Sequence, residues 1–111
     1  MSGYIEDIVS DVDALLATLR AEYASRLPGK LAAIEEFAGR GAWDELRRAA
    51  HKLRGSAATH GFAALGDAAA QLEGLTTDVA GADPAVTRAS IEGALRAART
   101  EVERVAGATS P

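Results

Sequence analysis

From Trp43 to Gly61 the chain reads WDELRRAAHKLRGSAATHG. Spaced about 100° apart, Leu46, Ala49, Ala50, Leu53, Ala57 and His60 gather on one face, with the three-to-four spacing of a core-facing helix. The chain offers that face no sheet to pack on, because no β-branched run bounded by turn residues occurs. Scarce aromatics and abundant Ala favour close-packed helices instead. By the same arithmetic His51 lies about 150° from the centre of the stripe and points to solvent. Its neighbours three, four and seven positions away are Arg47, Arg48, Arg54, Gly55 and Ala58. Three guanidinium groups and two small residues therefore ring one imidazole. A mid-helix Gly costs about 1 kcal/mol relative to Ala, and Gly55, one turn above His51, leaves room for something to reach the ring. The surrounding positive charge favours an anion there and disfavours the imidazolium, which predicts a neutral, nucleophilic His51 suited to transient phosphorylation.

The remaining segments also read as helices. Tyr4, Ile5, Ile8 and Val9 predict a short extra helix within residues 1–10, lying across one end of a bundle. From Asp11 to Ala38, Leu16, Leu19, Tyr23, Leu27, Leu31, Ile34 and Phe37 or Ala38 keep helical phase across Pro28. Preserved phase favours one long helix kinked at the proline over two separate helices. Gly39, Arg40 and Gly41 end it. Gly61 closes the His51 helix, and His60 beside it reads as a structural residue at a helix terminus. Phe62, Leu65, Ala69, Leu72 and Leu75 outline the next helix, in which Gly66 and Gly74 permit close helix contact. A loop follows over 77–82. Asp83 as N-cap before Pro84 opens a last helix to about Ala106, with Val86, Ile91, Leu95, Ala98, Val102 and Val105 inward. Glu92 with Arg96, and Arg99 with Glu103, are spaced to pair on its outer face. Residues 107–111 read as a loose tail. The expected fold is all-α: an antiparallel up-and-down four-helix bundle in one domain spanning 1–111, with the extra N-terminal helix as a cap. Four helices can close a core unaided, so a monomer is expected.

At the His51 helix the sequence resembles the histidine-containing phosphotransfer (HPt) family, which carries a pattern like H-x-L-K-G-S-A, a Gly ten residues after the His, and a Leu-rich helix ending in Leu-Glu. His51, Leu53, Arg54, Gly55, Ser56, Ala57, Gly61, Leu65, Leu72 and Glu73 occupy those places. Residues 27–31 (Leu-Pro-Gly-Lys-Leu) and Trp43 also look like the family, and the likeness is good over about residues 12–75. Two positions depart from it. Arg54 stands for the usual Lys, exchanging a point charge for a planar fork. Ala42 stands where many members have an Asp able to cap the helix, so capping falls to other groups. The resemblance implies that His51 takes a phosphoryl group from the phospho-aspartate of a response-regulator receiver domain and passes it to another receiver. It implies a hybrid histidine kinase upstream and Mg2+ on the partner receiver, with no cofactor bound by this chain. Arg54 would stabilise the phosphate, and Gly55 would give access. Arg47, Arg48 and Lys52 would steer an acidic partner, and Ala58 would touch it. Ser56 belongs to the motif without an assigned role.

Other chemistry is missing from the sequence. There is no phosphate loop of the G-x-x-x-x-G-K-[ST] type, so His51 cannot draw phosphate from ATP within this chain. The sequence has no Cys, which removes disulfides, thiol nucleophiles and Cys-based zinc sites. No Glu-x-x-His ligand pair appears, and no Ser has a placed base, because His60 is half a turn around from His51. A net charge of −4 argues against general nucleic-acid binding. No apolar run would cross a membrane and no signal-peptide layout is present, so a cytoplasmic protein is expected. Two other readings compete. One is a non-catalytic adaptor bundle that binds a receiver or kinase. The other is a kinase-type dimerisation domain, which the Lys52 after the His and the lack of a nearby Pro disfavour.

Overall fold

A computed structural model of the chain describes residues 2–77 and 83–109, with side chains over 3–77 and 83–107. Four helices follow one another: α1 (Ser2–Gly39), α2 (Trp43–Thr59), α3 (Ala63–Thr77) and α4 (Pro84–Thr109). No strand occurs among the described residues. Sequential helices are antiparallel neighbours, and α1 packs on both α2 and α4 while α3 packs on α2 and α4. The result is the up-and-down bundle that the apolar spacing predicts. The interface between α2 and α3 is the most extensive.

Glycine closes two of the helices as expected. Gly41 (φ 69°) and Gly61 (φ 83°) are left-handed, a region that favours residues without a Cβ. Around them the amides of Gly41 and Ala42 donate to Ala38 and Phe37, and those of Gly61 and Phe62 donate to Ala58 and Ala57. These paired bonds satisfy carbonyls that a helix end would otherwise leave open. At the start of α4 the Asp83 carboxylate accepts from the amides of Ala85 (2.9 Å) and Val86 (3.3 Å), ahead of Pro84 at the first helical position. Ala42 makes no side-chain cap to α2.

The core comprises Tyr23, Ala24, Leu27, Leu31, Ile34 and Ala38 of α1; Leu46, Ala50, Leu53 and Ala57 of α2; Leu65, Ala68, Ala69 and Leu72 of α3; and Ile91, Ala94, Ala98, Val102 and Val105 of α4. Several inward positions differ from expectation. Val86 is 64% exposed, and Thr87, one position further round the first turn of α4, is buried in its place. Neither expected pair forms on α4. Arg99 reaches across to Glu35 of the packed α1, and along α4 itself Arg104 pairs with Glu101, one turn back.

The largest correction concerns the N-terminus. No separate cap helix lies across the bundle; α1 runs unbroken from Ser2 through Pro28 to Gly39. Nothing in residues 8–12 (Ile-Val-Ser-Asp-Val) breaks a helix, so the turn that a cap would need is not encoded. A helix of 38 residues is about 57 Å long at 1.5 Å per residue, which accounts for a molecule measuring 65 × 24 × 17 Å. Leu16 and Leu19, expected inward, are each 43% exposed because they precede the point where the other helices begin to cover α1. At the other end α4 continues to Thr109, so helix occupies most of the expected tail; residues 110–111 and the expected loop over 78–82 lie outside the described residues.

Tyr23 marks the entry of α1 into the bundle. Its ring stacks on His60 at a centroid distance of 4.1 Å and lies 5.8 Å from Phe62. Its hydroxyl meets Ser56 Oγ at 2.7 Å, while His60 Nδ1 lies 2.7 Å from the Ser56 carbonyl and donates to it. Ser56 thus has a structural role, tying α2 to α1, and His60 is the structural histidine that its position implies. Burial pushes the Tyr23 phenol above its ordinary pKa, against a smaller opposing effect of the Ser56 bond.

Two outcomes follow for stability. Leu27→Ala, at a site with no exposure, lowers unfolding free energy in urea by about 2–5 kcal/mol, whereas Val86→Ala stays within about 0.5 kcal/mol. Because the phenol pKa is raised in the folded state, Tyr23 stabilises fully below the ordinary tyrosine pKa of about 10 and loses that contribution as pH climbs through the folded value. Urea midpoints measured up that range fall, and Tyr23→Phe removes part of the fall.

Candidate functional site

Burial of Leu46, Ala50, Leu53 and Ala57 aims the opposite side of α2 outward. The His51 side chain is 60% exposed there. A Cβ built on Gly55 would meet nothing within 4 Å, so no packing within this chain requires glycine at that position. The space around Gly55, one turn from His51, is open.

The charges are arranged differently from the expected ring of three guanidinium groups. Arg47 and Arg48 both turn back one helical turn to Asp44, at 2.8 and 2.5 Å. The Arg47 hydrogen bond, followed by the charges of Arg48 and Arg47, holds the Asp44 carboxyl below its ordinary pKa. The group that meets His51 is a carboxylate from the neighbouring helix. Nδ1 lies 3.0 Å from Glu73 Oε1, and Arg54 Nη1 lies 3.4 Å from Glu73 Oε2. Glu73 is only 20% exposed. Its Oε2 is buried and accepts no well-directed hydrogen bond, so Arg54 balances its charge across a longer ion-pair distance. A carboxylate can only accept, so in the neutral imidazole the proton sits on Nδ1 and the lone pair is on Nε2, the ring nitrogen that Glu73 does not engage.

α3 packs closely on α2 at Gly66, where an added Cβ would stand in ordinary contact, 3.6 Å from the Arg54 carbonyl and 3.9 Å from the Ala57 Cβ. Gly74, by contrast, has open space around it. In the sequence Glu73 is only the end of the Leu-Glu pair. The signal for its position is its place on α3 beside Leu72, at the edge of the core stripe, where a side chain reaches the next helix.

A shallow depression lies on each flank of α2. Lys30, Ala33, Ile34, Ala49, Lys52 and Leu53 line the one towards α1, which places Lys52 at an apolar rim. Arg54, Ala58, Gly61, Ala63, Gly66 and Ala70 are among those lining the one towards α3, so Arg54 and Ala58 share a surface. Among the described residues no three His, Asp or Glu side chains converge as metal ligands, and no helix is long and apolar enough to cross a membrane.

Compared with known proteins, the chain matches the family model described as "Hpt domain" over residues 4–108. That span takes in α4, beyond the stretch where the motif is legible. Neither the curated proteins nor the solved structures gave a match.

Because a Cβ at position 55 meets open space, Gly55→Ala raises the unfolding free energy by about 0.5–1 kcal/mol. Thermal and urea denaturation of the purified variant measure this directly.

Proposed function

From the membership of this chain in the Hpt domain family, whose members carry out histidine phosphotransfer in phosphorelays with receiver domains and kinases, we propose that His51 is the phospho-acceptor and that Nε2 is the reacting atom. The observation that carries the reading is an exposed imidazole held through Nδ1 by Glu73, beside the open space at Gly55. The Nε2 lone pair attacks the phosphorus of a receiver's aspartyl phosphate. A P–N bond forms, the P–O bond to the aspartate breaks, and the aspartate leaves as a carboxylate. The proton remains on Nδ1 throughout. Glu73 therefore faces the positive charge that develops on the imidazole, and attraction between them lowers the barrier. Transfer to a second receiver reverses the same steps.

Arg54 keeps Glu73 in place with one nitrogen and has further N–H donors for the equatorial oxygens of the phosphoryl group. Gly55 leaves space for those oxygens and for the partner's backbone. Lys52 makes no ion pair among the described residues, and Arg47 and Arg48 share the single carboxylate of Asp44, so these three leave a net positive charge that steers an acidic receiver. Ala58 and the depression beside it belong to the docking face. Any divalent ion, Mg2+ by expectation, is carried by the receiver. A hybrid histidine kinase and its receivers are the proposed partners, in the cytoplasm.

The purified chain, mixed with phosphorylated receiver domains from the same cell, acquires acid-labile, base-stable phosphate on His51, and His51→Gln acquires none. Label on that variant, or receiver binding with no labelled histidine, overturns the assignment. Arg54→Ala slows transfer by about 10- to 100-fold, as loss of a charged hydrogen bond predicts. Glu73→Ala slows it more than Glu73→Gln does, since the amide oxygen still accepts from Nδ1. Gly55→Ala slows transfer despite its added stability.

A further inference from the structure

From Gly3 to Glu22 every residue of α1 is exposed, yet this arm is far from uniformly polar. Ile5, Ile8, Val9, Val12, Leu15, Leu16 and Leu19 stand 43–65% exposed. At about 100° per residue these seven fall within an arc of roughly 120° centred on Val12. Ile5, Ile8, Val12, Leu15 and Leu19 alternate three- and four-residue spacings, the repeat of a coiled-coil seam. A contiguous apolar stripe of this kind marks an interaction surface. The stripe stays in phase with Tyr23 and Leu27, so it lies on the same face of α1 that the other helices cover further along.

We propose that this arm pairs antiparallel with the arm of a second copy of the chain, about a two-fold axis at Val12. The apolar set maps onto itself under that operation: Ile5 opposes Leu19, Ile8 opposes Leu16, Val9 opposes Leu15, and Val12 opposes itself. An interface between identical surfaces requires this self-complementarity.

Charge points to the same orientation. Glu6, Asp7, Asp11 and Asp13 lie in the outer part of the arm and Arg20 near its base, and no ion pair among the described residues involves them. Glu6, Asp13 and Arg20 share one flank of the stripe, and in an antiparallel pair like flanks face each other. Arg20 of each copy then lies beside Glu6 of the other, two attractions that offset the Asp13–Asp13 and Asp11–Asp11 pairs meeting at the axis. Parallel pairing would instead set Glu6 against Asp7 and Asp13 against Asp11, and like charges at such sites suppress that partner.

Space excludes the parallel arrangement as well. The stripe leads directly into the face that α2 and α4 occupy, so a parallel second copy would drive its own bundle into theirs. Antiparallel arms leave one bundle at each end. Val12 is about 16 Å along the axis from Tyr23 at 1.5 Å per residue, so the bundles stand about 33 Å apart with both His51 faces open. A closed four-helix core is compatible with this dimer, because the arm lies outside that core. The pairing does not depend on the phosphotransfer reading.

Sedimentation of the full chain over about a hundredfold range of concentration tests the proposal through mass action. A monomer–dimer equilibrium is expected. Val12→Asp, which puts two carboxylates on the two-fold axis, weakens it by about tenfold or more while leaving bundle melting unchanged. The natural chain has no Cys, so engineered thiols report orientation. Ile5→Cys mixed with Leu19→Cys gives a disulfide-linked heterodimer on oxidation, whereas Ile5→Cys alone does not cross-link. A monomer at every concentration, a dimer indifferent to Val12→Asp, or self-cross-linking of Ile5→Cys overturns the proposal.

Discussion

Burial of one narrow face of α2 governs the rest of the site. Leu46, Ala50 and Ala57 have no exposure and Leu53 almost none, so the rotation of the helix about its own axis is set by hydrophobic burial. His51, on the opposite side, is exposed as a consequence. Two of the four core residues are alanines, and α3 meets this part of α2 with Gly66. Small residues on both sides bring the helices near enough for a glutamate on one to hold a histidine on the other. Larger side chains at those positions would separate His51 from Glu73 without disturbing the helical pattern of either helix.

The electrostatics of α2 show how a cluster that looks uniform in sequence divides by partner. Arg47, Arg48 and Arg54 are all within reach of His51 by helical spacing. Asp44 engages the first two from within α2, and Glu73 engages the third from α3. Attraction at short range decides each pairing, because an exposed side chain adopts whichever rotamer brings it to the nearest opposite charge. The imidazole is consequently oriented by a carboxylate that is largely shielded from water. Orientation of this sort matters for a nucleophile that must present one particular nitrogen.

One continuous helix serves two environments. From Tyr23 onward α1 contributes six buried residues to the core, and before Tyr23, among the described residues, it contributes none. Helical phase does not change at the boundary, and neither does the apolar character of the stripe. The difference arises only from where α2, α3 and α4 begin and end. Tyr23, stacked on His60 and bonded to Ser56, seals the bundle at that boundary.

The helical character, the up-and-down order, both glycine-closed helix ends, the Asp83 cap and the outward direction of His51 were all legible in the sequence. Each depends on local spacing and on the backbone preferences of single residues, which neighbouring helices do not alter. The pairing of His51 with Glu73, the diversion of Arg47 and Arg48 to Asp44, the reach of Arg99 to Glu35 and the exposure of Leu16 and Leu19 were not. Periodicity tells which residues share a face but not how far a neighbouring helix extends along it, so a chain can encode an apolar stripe longer than the bundle that covers it. Side-chain partners likewise depend on distances between helices, which are set by packing among residues far apart in the chain. Local sequence determined the helices and their faces; only tertiary packing decided what each face meets.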